Sequence, residues 1–162
     1  MQEDKWETLT TKQRIDALQT VANIEAHYLG LLNELNVGAS NLREFALGCY
    51  SDKTHTISID IEHLENDPVY EVLDTCCHEA YHSYQHRLVD VYNTTDTSSK
   101  CLRLYKKAVT YSQKFGNHEN GYEDFCSYYY QKCESDARDY AEEAVLDYYE
   151  RILKYLDEQN ED

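Results

Sequence analysis

Cys76-Cys77-His78-Glu79-Ala80-Tyr81-His82 is the stretch around which the rest of the chain is organised. Within it, His78-Glu79-x-x-His82 sets two imidazoles one helical turn apart on one face. Two imidazoles so spaced can hold one Zn²⁺ from the same side. Glu79, beside the first of them, is placed to take a proton from a metal-activated water. The flanks predict the helix this needs. Asp67-Pro68 reads as a carboxylate N-cap with proline at the first helical position. Neither Gly nor Pro follows before Asn93, so a helix is expected from Pro68 to about Tyr92. Its buried side would carry Val72, Leu73, Cys76, Leu88 and Val91.

Working outward, the composition bounds the class. A chain of 162 residues with 41% hydrophobic residues reads as one domain, 1–162, with a real core. No apolar run approaches the ~20 residues of a membrane span. The first residues, Met-Gln-Glu-Asp-Lys-Trp, are neither basic nor apolar, so a cytoplasmic protein is expected. The charge is −16, from 15 basic and 31 acidic residues. That argues against nucleic acid, whose phosphates need Lys/Arg clusters. A reducing compartment makes the six cysteines free thiols rather than bridges, chiefly small buried hydrophobes.

Upstream, Thr8 to Leu35 keeps a three/four apolar spacing through Ile15, Leu18, Ala22, Leu29 and Leu32, and predicts an amphipathic helix ended by Asn36-Val37-Gly38. The strand-like region follows. Leu42 to Tyr50 is β-prone, Ser51-Asp52-Lys53 is a turn, and Thr54 to Leu64 alternates, with Ile57, Ile59 and Ile61 facing one way. An antiparallel hairpin over 42–64, packed on the motif helix, is expected. His55 and His63 sit at its strand ends and read as structural.

Downstream, a helix capped by Ser98 or Ser99 is expected to run to Phe115 with a stripe of Cys101, Leu104, Ala108, Tyr111 and Phe115. Residues 116–121 form the plainest break. A last helix from about Tyr122 to Leu156 would bury Tyr122, Cys126, Tyr129, Cys133, Ala137, Tyr140, Ala144 and Tyr148. The acidic tail beyond Leu156 is expected to be disordered. The fold class is therefore α+β, mostly helical with a small sheet.

Two His do not complete a catalytic zinc; a third protein ligand and a water are needed. The candidates are His86, His118, Glu134, Asp136 and Asp139. His86 lies about 12 Å of helical rise from His78, too far for one ion. Glu134 is the better choice. Ala137 and Ala141, one and two turns on, let a second helix approach the motif helix closely.

His78-Glu79-x-x-His82 followed by Glu134-x-x-Ala137-x-x-x-Ala141 resembles the gluzincin metallopeptidases, and within them the ImmA/IrrE group of small cytosolic zincins. The resemblance spans roughly residues 42–146. It implies a minimal zincin fold, Zn²⁺ on His78, His82 and Glu134, and Glu79 as general base. The chain departs from the group in three ways, one being that no DNA-binding helix-turn-helix is visible, so any regulatory target is expected to be another protein. The 52 positions from His82 to Glu134 are more than the group leads one to expect. Arg138 stands where the group has Asn, so a bond to a ligand His is lost.

The expected activity is zinc-dependent hydrolysis of a peptide bond in an intracellular peptide or protein. The strand Thr54–Leu64 is the expected edge for an extended substrate. Tyr128, Tyr129, Tyr130 and His118 are candidate oxyanion donors. The competing reading is a zinc-binding protein that sequesters a regulatory partner without cleaving it. Against that stands Glu79, a general base for which a purely structural site has no use. A third reading, an all-helical chain with a chance motif, conflicts with the Ile57/Ile59/Ile61 alternation.

Overall fold

The computed structural model describes residues 3–43, 45–116 and 131–160. A short helix α1, Glu3–Glu7, leads into α2, Thr11–Tyr28. Three strands follow: β1, Asn36–Ser40; β2, Gly48–Ser51; and β3, Thr56–Asp60. Then come α3, Ile61–Asn66, and the motif helix α4, Val69–Thr94. Two 3₁₀ turns, Ser99–Cys101 and Arg103–Tyr105, precede α5, Lys106–Gly116. The last helix, α6, is Lys132–Asn160. The architecture is mostly helical α+β, as expected.

α2 is shorter than its apolar pattern because both ends are capped. Thr10 and Gln13 form a reciprocal capping box at the start. At the other end Gly30 adopts φ +66°, Leu31 N–H donates to Ala26 O and Gly30 N–H to His27 O. This Schellman turn stops the helix at Tyr28 and frees residues 31–40 to form β1.

The sheet has the order β1-β3-β2. β2 and β3 make the expected antiparallel hairpin, with Tyr50 opposite Ile57. β1, read in the sequence as a helix end, pairs parallel with β3, Val37 opposite Ile57, so the sheet is mixed rather than antiparallel. Gln19 of α2 covers the outer edge of β1. Its amide oxygen accepts from Val37 N–H (2.8 Å) and its NH₂ donates to Leu35 O (2.7 Å).

β3 stops at Asp60, short of Leu64. The Asp60 carboxylate accepts from Glu62 and His63 N–H, which N-caps α3, and from Leu42 N–H. Ile57 and Ile59 are wholly buried, while Ile61 opens α3 and is half-buried.

α4 begins where expected, with a different cap. Asp67 turns back to His63 (2.6 Å), Pro68 takes the N-cap position, and the Glu3 carboxylate accepts from Val69 N–H. Val72, Leu73, Cys76 and Leu88 are buried, and Val91 is half-buried.

The main core lies between α2, the sheet, α4 and α6. Ala137, Ala141 and Val145 of α6 are wholly buried. A second cluster under α5 holds Leu88, Val89, Tyr105, Ala108 and Tyr111. In that region Cys101 and Leu104 are exposed, where the predicted stripe buried them, and Tyr105 takes their place. The side chain of Phe115 lies outside the described residues, as do Tyr122, Cys126 and Tyr129. α6 runs to Asn160, so the segment after Leu156 is helical where the sequence suggested disorder. No helix among the described residues is long and apolar enough to cross a membrane.

Candidate metal centre

α4 presents His78 and His82 mid-helix with their Nε2 atoms 3.0 Å apart and their rings nearly perpendicular (85°). Across from them, α6 brings in Glu134. One of its carboxylate oxygens lies 3.4 Å from His78 Nε2 and the other 3.6 Å from His82 Nε2. The approach depends on Ala137 and Ala141, which carry no bulk between the two helices. Glu79 completes the group. It is 7% exposed, and its carboxylate and the two imidazoles offer ligand atoms all within 4.8 Å of one another. His78, Glu79 and His82 could hold a metal ion.

The donor set fits zinc. Four ligands at Zn–N and Zn–O lengths define a tetrahedron with edges of about 3.3 Å. The separations of 3.0, 3.4 and 3.6 Å between the two imidazoles and Glu134 bracket that edge.

The electrostatics also draw in a cation. Burial opposes a charge on His82, but its hydrogen bond to Glu134 and the charges of Glu79 and Glu134 outweigh burial and raise its pKa to about 9. Burial likewise opposes ionisation of Glu134, and the two imidazoles overcome it, holding the carboxyl well below the usual range. Without a metal, this buried spot keeps a proton among the carboxylates; a metal cation can stand in its place.

Gln85 is a part of the site that the motif does not reveal. Wholly buried, it donates through its NH₂ to Cys133 O (2.8 Å), which turns its amide oxygen toward His82 Nδ1 at 2.9 Å. With Nδ1–H donating there, Nε2 of His82 is the nitrogen that faces Glu134 and the second imidazole, and in a neutral ring it would carry the lone pair a metal takes. A Gln three residues after the second His is the sequence signal that could have found it.

Gly48 of β2 is a second such part. A Cβ built there would lie 2.6 Å from Thr75 Cγ2 and 3.0 Å from Glu79 Cγ. The missing side chain is what lets the edge strand run beside the motif helix at the level of Glu79. Thr75 is itself held by His63, whose Nε2 lies 3.0 Å from Thr75 Oγ1 while its Nδ1 faces Asp67.

No family model matches the chain, and neither a curated protein nor a solved structure matches it.

The other candidate ligands lie elsewhere. His86 turns to the hairpin, with its ring 5.8 Å from that of Tyr50 and Nδ1 3.9 Å from Asp52. Asp136 is occupied by Tyr111 (2.5 Å) and Lys132 (2.6 Å). Asp139 is exposed. His118, Tyr128, Tyr129 and Tyr130 lie outside the described residues. His55 and His63 are held in structural contacts, His55 between Asn33 and Tyr50. Cys76 and Cys77 are wholly buried. Burial pushes the Cys76 thiol up to about 12 and that of Cys77 well above the usual value, so neither serves as a thiolate.

Proposed function

We propose that this protein is a zinc-dependent peptidase in which His78, His82 and Glu134 hold the ion and Glu79 is the general base. The observation that carries the reading is the meeting of four groups from two helices. His78, His82 and Glu134 lie at tetrahedral-edge spacing, and Glu79 lies beside the two imidazoles on α4. Bound zinc supplies Lewis acidity and a water whose pKa falls to about 7. Glu79 would accept a proton from the attacking water and deliver it to the leaving amine. Gln85 holds His82 in orientation, and Gly48 leaves Glu79 its room.

The substrate strand is assigned to β2. The sequence pointed to Thr54–Leu64, but β3 is paired on both sides and has no free edge. β2 is paired only with β3 among the described residues and passes Glu79 at Gly48. An extended peptide adding to β2 brings its backbone past the general base.

The test is Glu79→Gln, which keeps size and hydrogen-bonding shape and removes the base. Zinc content, read by elemental analysis, should stay at one ion per chain, and circular dichroism should be unchanged. Cleavage in an unbiased peptide library should fall by about 10²–10⁴-fold. A zinc-loaded wild type that cleaves nothing in the library would overturn the peptidase reading. A Glu79→Gln protein without zinc would make Glu79 a ligand instead.

A further inference from the structure

From Thr97 to Gly116 the chain carries Lys100, Arg103, Lys106, Lys107 and Lys114 and no Asp or Glu. Five of its 15 cations thus fall within 20 residues of a protein that has 31 acids. Folding gathers three of them at one place. Arg103, Lys106 and Lys107 line an open hollow of about 550 Å³ together with Tyr81, Tyr84, Leu88 and Leu104. Arg103 and Lys106 enter no ion pair among the described residues. Lys107 reaches Asp136 at 3.4 Å, with its side chain still 55% exposed. Apolar side chains stand exposed beside the cations: Leu102 (57%), Leu104 (59%) and Val109 (39%).

Unneutralised cations in a chain of charge −16 are not explained by folding. Arg103 and Lys106 relieve no local acid excess, because their stretch contains no acid and neither pairs with a carboxylate among the described residues. Nor does burial explain an exposed Leu104 in the lining of a hollow that also holds Tyr81 and Tyr84. Cations around an apolar cavity complement an apolar side chain flanked by carboxylates.

We propose that this face docks a segment of a partner protein in which an apolar residue lies between acidic ones. The occupant is a short peptide rather than an anionic bilayer for a physical reason. Charges screen over about 8–10 Å, so a short segment meets only the basic face. A lipid surface would extend past it and meet the acidic remainder. The proposal does not depend on the peptidase reading, because the cavity lining shares no residue with the metal centre.

The probe is a fluorescein-labelled short peptide of alternating Glu and Leu, titrated by anisotropy against the full chain carrying Glu79→Gln to prevent cleavage. The acidic peptide should bind, its affinity should fall as salt is raised, and the counterpart with Lys for Glu should not bind. Arg103→Glu with Lys106→Glu should weaken binding by about tenfold or more, and Leu104→Ser should weaken it as well. Should charge reversal disturb the circular dichroism, Arg103→Gln with Lys106→Gln replaces it, with the same direction expected. The proposal is overturned if the acidic peptide does not bind. Equal binding of the Lys peptide, indifference to the neutral double variant, or capture of phosphatidylserine-rich vesicles in place of the peptide would also overturn it.

Discussion

Gly48 is the residue at which the hairpin and the chemistry meet. Any side chain there competes for space with Thr75 Cγ2, 2.6 Å from the Cβ position, and with Glu79. Gly48→Ala is expected to cost about 1–3 kcal/mol, the usual range for overpacking. It should also impair cleavage more than zinc binding, because the displaced group is the base. Adding Thr75→Ser removes Cγ2 and keeps the hydroxyl that faces His63, so part of the stability, read by urea unfolding, should return.

Gln85 makes the complementary case. Gln85→Ala removes two hydrogen bonds, a buried one to Cys133 O and a part-buried one to His82 Nδ1. The expected loss is about 1–3 kcal/mol of stability. Zinc affinity should fall by about 10–100-fold, the usual effect of losing the group that orients a ligand His. Competition with a chromogenic chelator measures the second effect separately. Neither residue belongs to a motif, and each matters through a contact with a distant segment or a neighbouring turn. That is why His78, Glu79, His82 and Glu134 were legible from type and spacing while Gly48 and Gln85 were not.

At the scale of elements, the boundaries were decided by caps that compete with periodicity. β3 alternates on through Ile61, yet Asp60 ends it because three backbone N–H groups converge on one carboxylate. Those bonds, led by that from Leu42, hold the Asp60 carboxyl below the ordinary value. The sign follows. A carboxyl whose folded pKa is depressed stabilises the fold above its unfolded pKa, near 3.9, and loses that contribution as pH falls through the folded value. Asp60→Ala should therefore cost about 1 kcal/mol at neutral pH. The gap to wild type, measured by thermal unfolding, should narrow as pH drops below about 4. Asp60→Asn keeps one oxygen for Glu62 and His63 N–H but turns its NH₂ toward Leu42 N–H, so it should lose part of the same stability at neutral pH. The same competition moved the start of α4. Asp67 had a stronger partner in His63, and the cap came from Glu3, a residue 66 positions away.

Over the whole molecule, the proposed metal centre would join α4 to α6, and so the middle of the sequence to its end. Zinc that binds only the folded chain stabilises it by mass action, about 4 kcal/mol at a free concentration 1,000 times Kd. Chelation is expected to lower the melting temperature of the wild type markedly. It should leave the Glu134→Ala protein nearly unchanged, and His86→Ala should respond like wild type. A second link, without metal, runs between α2 and α6. The buried Glu25 carboxylate accepts hydrogen bonds from Tyr140 and from Tyr148 (2.6 Å). It gives two of the 16 tyrosines a role beyond filling a wet core boundary.

The sequence by itself determined the mostly helical α+β class, the β2–β3 hairpin and the motif helix, because each is written in local order. Period 3.6, period 2 and a Pro at a helix start need no distant partner. It also determined which residue types could hold a metal. Tertiary structure alone decided that β1 exists and runs parallel to β3, since a strand freed by a Schellman turn acquires its partner only in the folded chain. The sequence favoured Glu134 over Asp136 and Asp139, but that it faces the two imidazoles is a property of the folded chain. On one acidic helix these three differ only in direction, and direction is set by how the small face of α6 seats on α4.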